Sequence, residues 1–136
     1  MDAKEKKAFL EQYRHLQDHI TGLTAEIEKW QTIGEKVNNA LGIGGGSNLK
    51  QSKVEKSAVN VADIITDIQT DIDKAREKRK EIEKAIDSGC KWLRHKEILK
   101  MRYINGLSVS KIARMLHKED KTVSNMISSA IKDMKI

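Results

Sequence analysis

The sequence is poor in several residue types, and each shortage narrows the class of protein. It has no proline, and aromatic residues make up only 4% of its 136 residues. Proline interrupts helices, and large globular cores normally use aromatic side chains, so the chain suits long helices better than a large core. Together with 34% charged residues, this composition predicts a mostly helical protein of one domain, or of one domain with an extension.

Cysteine and long apolar runs are equally scarce. Cys90 is the only cysteine, which excludes an internal disulfide and favours a reducing, cytoplasmic setting. His15 and His19 share a helix face, but no third ligand completes a metal site, and we interpret them as solvated. No run approaches the ~18 apolar residues of a membrane span, and the N-terminal MDAKEKKAFLEQYR lacks the apolar segment of a signal peptide.

No combination of residues indicates catalysis. The sequence shows no Ser/His/Asp or Cys/His set, and Asp71 and Asp73, two residues apart, do not share a helix face. The Gly-rich segment 38–48, NNALGIGGGSN, is neither preceded by a strand nor followed by Lys-Ser/Thr at nucleotide-binding spacing. We therefore expect no enzyme and no cofactor, and interpret this segment as a connector.

On either side of that connector, apolar residues follow a strict alternation of four- and three-residue steps, the narrow seam typical of a coiled coil. The first seam comprises Phe9, Tyr13, Leu16, Ile20, Leu23, Ile27, Trp30, Gly34, Val37 and Leu41, and the second Val54, Ala58, Val61, Ile65, Ile68, Ile72, Ala75, Arg79, Ile82 and Ile86. Two such helices predict an all-α fold that begins with a long antiparallel hairpin over residues 1–88, with its loop at 42–48.

Individual residues indicate where the helices of this hairpin end and how they pack. Gly34 should weaken or end the first helix, because glycine costs about 1 kcal/mol in helix propensity. Arg79 can lay its stem along the seam with its head in water or facing a carboxylate. Ser88-Gly89 predicts the end of the second helix, and Trp92 and Leu93 are expected to pack the hinge that follows. Further apolar residues flank the seams and predict cover by the C-terminal module or a second subunit: Leu10, Ile33, Val59 and Ile64.

The remaining segment, residues 89–136, holds the excess positive charge. The chain carries +6 overall; residues 91–136 contain 11 Lys/Arg against 4 Asp/Glu, and residues 1–90 contain 15 against 16. A basic module is what phosphate binding requires. Lysine-rich small domains are also common for solubility alone, but the local sequence pattern favours nucleic acid.

That pattern consists of three short helical runs. Ile98, Met101 and Ile104 mark the first, which a turn at Asn105-Gly106 should end. Ser108 stands at the N-cap of the second, whose apolar positions are Val109, Ile112, Ala113 and Leu116. After a polar break at residues 117–121, Val123, Ile127, Ala130 and Met134 mark the third. Asp120 is expected to cap this last helix. Two short helices joined by a tight turn predict a helix-turn-helix.

The run from Ile98 to Met134 resembles region 4 of bacterial sigma factors. It carries Met101-Arg102-Tyr103, Gly106-Leu107-Ser108, Ile112-Ala113, Leu116 and Thr122-Val123 at the offsets of that family. It departs from the family pattern at Lys111, His117, Lys118 and Ser129. The whole chain is similar to small phage proteins of Gram-positive bacteria, some of unknown function and others grouped with autolysin or late-transcription regulators of the ArpU type. The resemblance implies a DNA-binding regulator of transcription, encoded by a phage or prophage.

In a helix-turn-helix the second helix enters the major groove. Its polar face predicts base contacts by Lys121, Thr122, Ser124, Asn125 and Ser128, among which Asn125 suits adenine and Lys121 suits guanine. Phosphate contacts are predicted for Ser108, Ser110, Lys111, Lys118 and Lys132. Because this helix has no Arg and begins beside Glu119 and Asp120, one module should bind weakly. We expect a homodimer, which raises the effective concentration of the second module.

Two alternatives remain open from the sequence. The acidic entrance and the missing Arg favour a module that docks RNA polymerase or another protein without firm DNA contact. A phage DNA-packaging protein, the terminase small subunit, also combines a helix-turn-helix with a helical hairpin. In that class the DNA module usually comes first in the chain. A dimer in solution suits a regulator, and a ring suits packaging.

Overall fold

The described residues form five helices. The computed structural model describes the backbone of residues 1–43 and 48–136 and the side chains of residues 1–37 and 60–136. Helix α1 spans Ala3–Ile43, α2 spans Asn48–Gly89, α3 spans Leu93–Leu99 and continues as a π-helical turn over Lys100–Ile104, α4 spans Val109–Leu116, and α5 spans Asp120–Asp133. These described parts contain no strand, which confirms the all-α prediction.

The connector is shorter than the glycine pattern suggested. Gly42 and Ile43 still belong to α1, and Asn48 already belongs to α2. Residues 44–47 of the predicted loop lie outside the described residues. Gly34 does not end the first helix either, since α1 continues through it. Local propensity is outweighed here because Gly34 itself lies in the seam, with Val61 of α2 beside it.

Backbone contacts divide the chain into two compact units, one of residues 19–75 and the other of residues 1–18 with 76–136. The domain boundary that the sequence predicts between residues 88 and 89 is a separate matter and stays a prediction. Within residues 19–75, Gly34 lies against Val61, and a Cβ at Gly34 would come 3.3 Å from Val61 Cγ1. Its buried seam residues are Ile20, Val61, Ile68, Ile72 and Ala75. Of the flanking apolar residues, Ile33 and Ile64 are half-buried, and Val59 lies outside the described side chains.

In the other unit, the beginning of α1 and the end of α2 run antiparallel. The Tyr13 hydroxyl donates to Glu83 Oε1 at 2.8 Å, and one turn further along α1 the Arg79 guanidinium donates to the Gln17 side-chain oxygen. The Arg79 guanidinium carbon also lies 5.9 Å from the centre of the Tyr13 ring. Arg79 therefore occupies the seam as predicted, but it faces an amide and an aromatic ring rather than a carboxylate.

The core of this unit joins the hairpin ends to the C-terminal helices. Leu10 is 0% exposed, so the prediction that the C-terminal module covers part of the hairpin is confirmed at that residue. Burying a leucine completely stabilises the fold by about 1.5–3 kcal/mol relative to leaving it exposed. Its partners in the cluster include Ile82, Ile86, Ile98, Leu99, Ile112, Val123, Ala130 and Met134.

At the junction between α2 and α3 one prediction is confirmed, the end of α2 at Ser88-Gly89, and another is wrong. Gly89 is the last residue of α2 but does not adopt a left-handed conformation. It is needed for close approach, because its carbonyl accepts a 3.0 Å hydrogen bond from the Lys135 amide and a Cβ would come 2.6 Å from the Lys135 oxygen. Trp92 and Leu93 do not pack a hinge: they are 58% and 70% exposed. Apolar character alone does not decide burial, because folded surfaces carry much apolar area.

Candidate nucleic-acid interface

The turn between α4 and α5 has the geometry of a helix-turn-helix. Ser108 caps α4 as predicted, with its hydroxyl oxygen accepting from the Lys111 amide at 3.1 Å. Just past the other end of α4, His117 adopts the left-handed conformation, with φ 54° and ψ 46°. The Lys118 amide then donates to the Ala113 carbonyl at 2.9 Å, which closes the helix end. His117 thus occupies a conformation that glycine adopts most readily.

The start of α5 corrects the predicted cap. Glu119, not Asp120, holds the extended N-cap conformation, and its side chain makes no capping hydrogen bond. Asp120 lies in the first turn, where a carboxylate is favoured by the helix dipole, and it accepts a 2.8 Å hydrogen bond from the Ser110 hydroxyl. This bond holds the beginning of α4 beside the beginning of α5.

One side of α5 is buried and the opposite side is open. Val123 and Ala130 are fully buried, and Ile127 and Ile131 nearly so. All five predicted base-contacting residues are exposed: Lys121, Thr122, Ser124, Asn125 and Ser128. At 3.6 residues per turn, four of them form a single stripe, and Thr122 lies beside it. We call Lys121, Ser124, Asn125 and Ser128 the polar stripe.

The predicted phosphate-contacting residues do not form one group. Lys111, Lys118 and Lys132 are exposed, and within the described residues none of the three has an ion-pair partner. Lys132 continues the polar stripe, about 16 Å beyond Lys121 at ~1.5 Å per residue. The Ser108 hydroxyl oxygen is already engaged in capping.

Ser110 is the least suited of these candidates. Its hydroxyl proton is directed at the Asp120 carboxylate. A phosphate at Ser110 would therefore have to compete with that carboxylate and would lie close to its negative charge.

Two arginines that sequence reasoning did not assign to the site lie next to the turn between α3 and α4. Arg102 donates to the Leu107 carbonyl at 3.1 Å and lies 5.9 Å from the centre of the Tyr103 ring. Arg14 of α1 lies against Gly106, whose φ is 68°, and a Cβ there would overlap the guanidinium. Arg102 stands within the Met101-Arg102-Tyr103 motif, which could have drawn attention to it. Arg14 lies off the seam and carries no local signal.

Tyr103 connects these groups to the core. Its side chain is only 8% exposed. Burial raises the pKa of Tyr103 above its ordinary value, the charge of Arg102 opposes that shift, and the charge of Glu11 adds to it. The π-helical turn, in which the Asn105 amide donates to the Lys100 carbonyl at 2.8 Å, places this ring inward and Arg102 beside the turn between α3 and α4.

Comparison with known proteins agrees with this geometry. Residues 94–134 match the family model for Sigma-70, region 4. The C-terminal part of the chain therefore carries a sigma-region-4-like helix-turn-helix. No curated protein and no solved structure matches the chain.

Over the described residues, no three His, Cys, Asp or Glu side chains are grouped closely enough to hold a metal ion. Among the same residues, no helix has an apolar stretch long enough to cross a membrane.

Proposed function

We propose that this chain is a sequence-specific DNA-binding regulator of transcription, encoded by a phage or prophage and acting in the cytoplasm as a homodimer. The observation that carries the proposal is the polar stripe on the second helix of a region-4-like helix-turn-helix. Its amide and hydroxyl groups are suited to hydrogen bonds with base edges, as an asparagine pairs with adenine. The phage origin rests on the resemblance of the whole chain to small phage proteins.

Electrostatics support the same proposal. Residues 91–136 carry seven more positive than negative charges, whereas residues 1–90 are nearly balanced. Lys111, Lys118 and Lys121 are exposed around the two helices of the motif. Contacts to phosphates supply most non-specific affinity, and base contacts then select the sequence.

The test is fluorescence anisotropy with duplex DNA from upstream of the protein's own operon, at about 50 mM and 150 mM salt. Wild type should bind with a steep salt dependence. Ser128→Glu should lose binding, because it puts a negative charge on the polar stripe without touching the core. Gln69→Glu adds the same charge on an exposed face of α2, within residues 19–75, and should bind like wild type. Wild type that binds no DNA at either salt concentration would overturn the proposal.

One observation favours a second candidate, a module that docks RNA polymerase or another protein. Glu119 and Asp120 stand at the start of α5, and Ser110 is bonded to Asp120 instead of being open to a phosphate. A negatively charged entrance disfavours DNA and suits a basic protein surface. Pull-down of purified RNA polymerase by wild type, together with no DNA binding in the anisotropy experiment, would select this candidate.

A further inference from the structure

A cleft beside the turn between α3 and α4 brings together nitrogen-bearing side chains from two distant parts of the chain. Arg14 and His15 come from α1, and Arg102 comes from the π-helical turn. The cleft measures about 340 Å³ and is completed by Glu11, Tyr103 and Gly106. All of these residues belong to the same compact unit.

Within the described residues, the two guanidinium groups of this cleft have no ion-pair partner. No carboxylate oxygen lies within 4.0 Å of a side-chain nitrogen of Arg14, His15 or Arg102. Arg102 uses one donor for the Leu107 carbonyl, and a guanidinium has about five N–H donors. Arg14 makes no hydrogen bond in the same part of the structure. Several donors therefore remain for a ligand, and Glu11 is the one carboxylate in the lining.

Gly106 fixes how Arg14 reaches the cleft. Its left-handed conformation and lack of a side chain let the guanidinium lie directly over the turn. Leu10 and Tyr13, both buried on the same stretch of α1, hold the preceding helical turn against the core. Packing of α1 thus fixes where the Arg14 side chain begins, and the Gly106 backbone lies against its guanidinium.

The cleft lies close to the helix that is proposed to enter the groove. Gly106 precedes Ser110 by four residues, a span of at most ~14 Å along the chain. Ser110 is hydrogen-bonded to Asp120 in the first turn of α5, next to Lys121. A strand of B-DNA carries one phosphate per ~3.4 Å of helix axis. A duplex read by α5 would present several backbone phosphates over that span.

We propose that Arg14, with His15 and Arg102, binds a backbone phosphate of DNA, so that α1 extends the contact made by residues 94–134. The inference rests on the proposed function. A guanidinium can donate two parallel N–H bonds to phosphate oxygens, which fits the two arginines to this ligand. Glu11 lowers the net positive charge of the cleft, which suits a singly charged phosphodiester better than a free polyphosphate.

The test compares Arg14→Gln with Lys29→Gln, which removes one charge from an exposed position further along α1. DNA affinity is measured by anisotropy on a specific and an unrelated duplex over a series of salt concentrations. Arg14→Gln should weaken binding to both duplexes about tenfold and reduce the salt slope by about 0.9, the value for one phosphate. Lys29→Gln should follow wild type. Arg14→Lys should restore the slope but only part of the affinity, because lysine cannot form the paired contact.

The outcomes separate this inference from the proposed function. If wild type binds DNA while Arg14→Gln and Lys29→Gln behave alike, the inference is wrong and the proposed function stands. If tripolyphosphate binds the protein without DNA and depends on Arg14, while Arg14→Gln leaves the salt slope for DNA unchanged, the cleft serves a free anion and the inference is again overturned. Thermal melting of each variant confirms that only folded protein is compared.

Discussion

Tyr13 and Glu83 join the two long helices by a hydrogen bond at the edge of an apolar contact. The phenol hydroxyl donates to Glu83 Oε1 at 2.8 Å, while its ring is buried. Arg79 lies over the same ring and bonds to Gln17 one turn further along α1. An apolar seam with a repeating step can slide by one repeat at little cost, whereas these polar pairs match in one register only. We infer that they fix the register of the hairpin.

Tyr13→Phe tests the strength of this contact. The substitution keeps the ring and removes the donor, so we expect the free energy of unfolding to fall by about 1 kcal/mol, since the half-buried Glu83 carboxylate can still be hydrated. Urea denaturation measures the change. In a double-mutant cycle with Glu83→Ala, which removes the acceptor, the two effects should not add. Full additivity would show that the hydroxyl and the carboxylate do not interact in solution.

Gly89 and Gly22 should respond to alanine in opposite directions. A Cβ at Gly89 would come 2.6 Å from the Lys135 carbonyl oxygen and 3.0 Å from Met134 Cγ, whereas a Cβ at Gly22 would meet nothing within 4 Å. Gly89→Ala must displace the end of the chain and should destabilise the protein by about 1–3 kcal/mol. Gly22→Ala should stabilise it by up to about 1 kcal/mol through helix propensity.

Thermal or urea unfolding of the two variants gives both signs in one experiment. Gly22→Ala also serves as the control for any general effect of adding a methyl group to a helix. A Gly89→Ala variant as stable as wild type would mean that the last residues do not pack on α2 in solution.

His117, which adopts a left-handed conformation, is a second position where a substitution can raise stability. The left-handed conformation costs a non-glycine residue about 1–2 kcal/mol. Glycine avoids this cost, but its greater conformational entropy in the unfolded chain offsets part of the gain. We therefore expect His117→Gly to stabilise the protein by about 0.5–1 kcal/mol. His117→Ala, which keeps a Cβ, should give no such gain. Equal stability of the two variants in urea would contradict a left-handed residue at this turn.

Alkaline pH should destabilise the protein in two stages. Burial raises the pKa of Cys90 above its ordinary 9.0 and the pKa values of Tyr13 and Tyr103 above 10.0. A raised pKa means that the unfolded chain releases these protons first. The stability that these groups contribute is therefore fully present below the ordinary values and is lost as pH rises from those values through the raised pKa values of the folded protein.

The free energy of unfolding measured between about pH 8 and pH 11 checks this expectation. Wild type should begin to lose stability near the ordinary pKa of cysteine. Cys90→Ala should remove the first stage, so that its decline begins only where the tyrosines ionise. Identical pH profiles for wild type and Cys90→Ala would exclude a contribution from the thiol.

The agreement between sequence and structure follows the range of the interactions. Helical spacing placed Ile112 and Val123 in the core correctly, and a Ser108 cap was confirmed, because each depends on neighbours three or four residues away. The position of Arg14 over Gly106 depends instead on how α1 packs against a π-helical turn, which no local pattern encodes. The same limit explains Gly89, whose partner is Lys135. The roles assigned to the polar stripe stay predictions until DNA binding is measured.

The helix-turn-helix should depend on α1 for its stability. Leu10 is fully buried in a cluster that includes residues of α3, α4 and α5, whereas Leu93, the first residue of α3, is 70% exposed. We expect Leu10→Ala to reduce the free energy of unfolding by about 2–5 kcal/mol and Leu93→Ala to change it by less than ~0.5 kcal/mol.

The same reasoning applies to the isolated segment of residues 89–136. Without Leu10 and the buried end of α2, that segment lacks part of its core, so its circular dichroism should show no cooperative urea transition. A segment that unfolds as sharply as the full chain would instead establish an independent domain that begins at residue 89. In that case α1 would matter for the contact proposed at Arg14 but not for folding of the module.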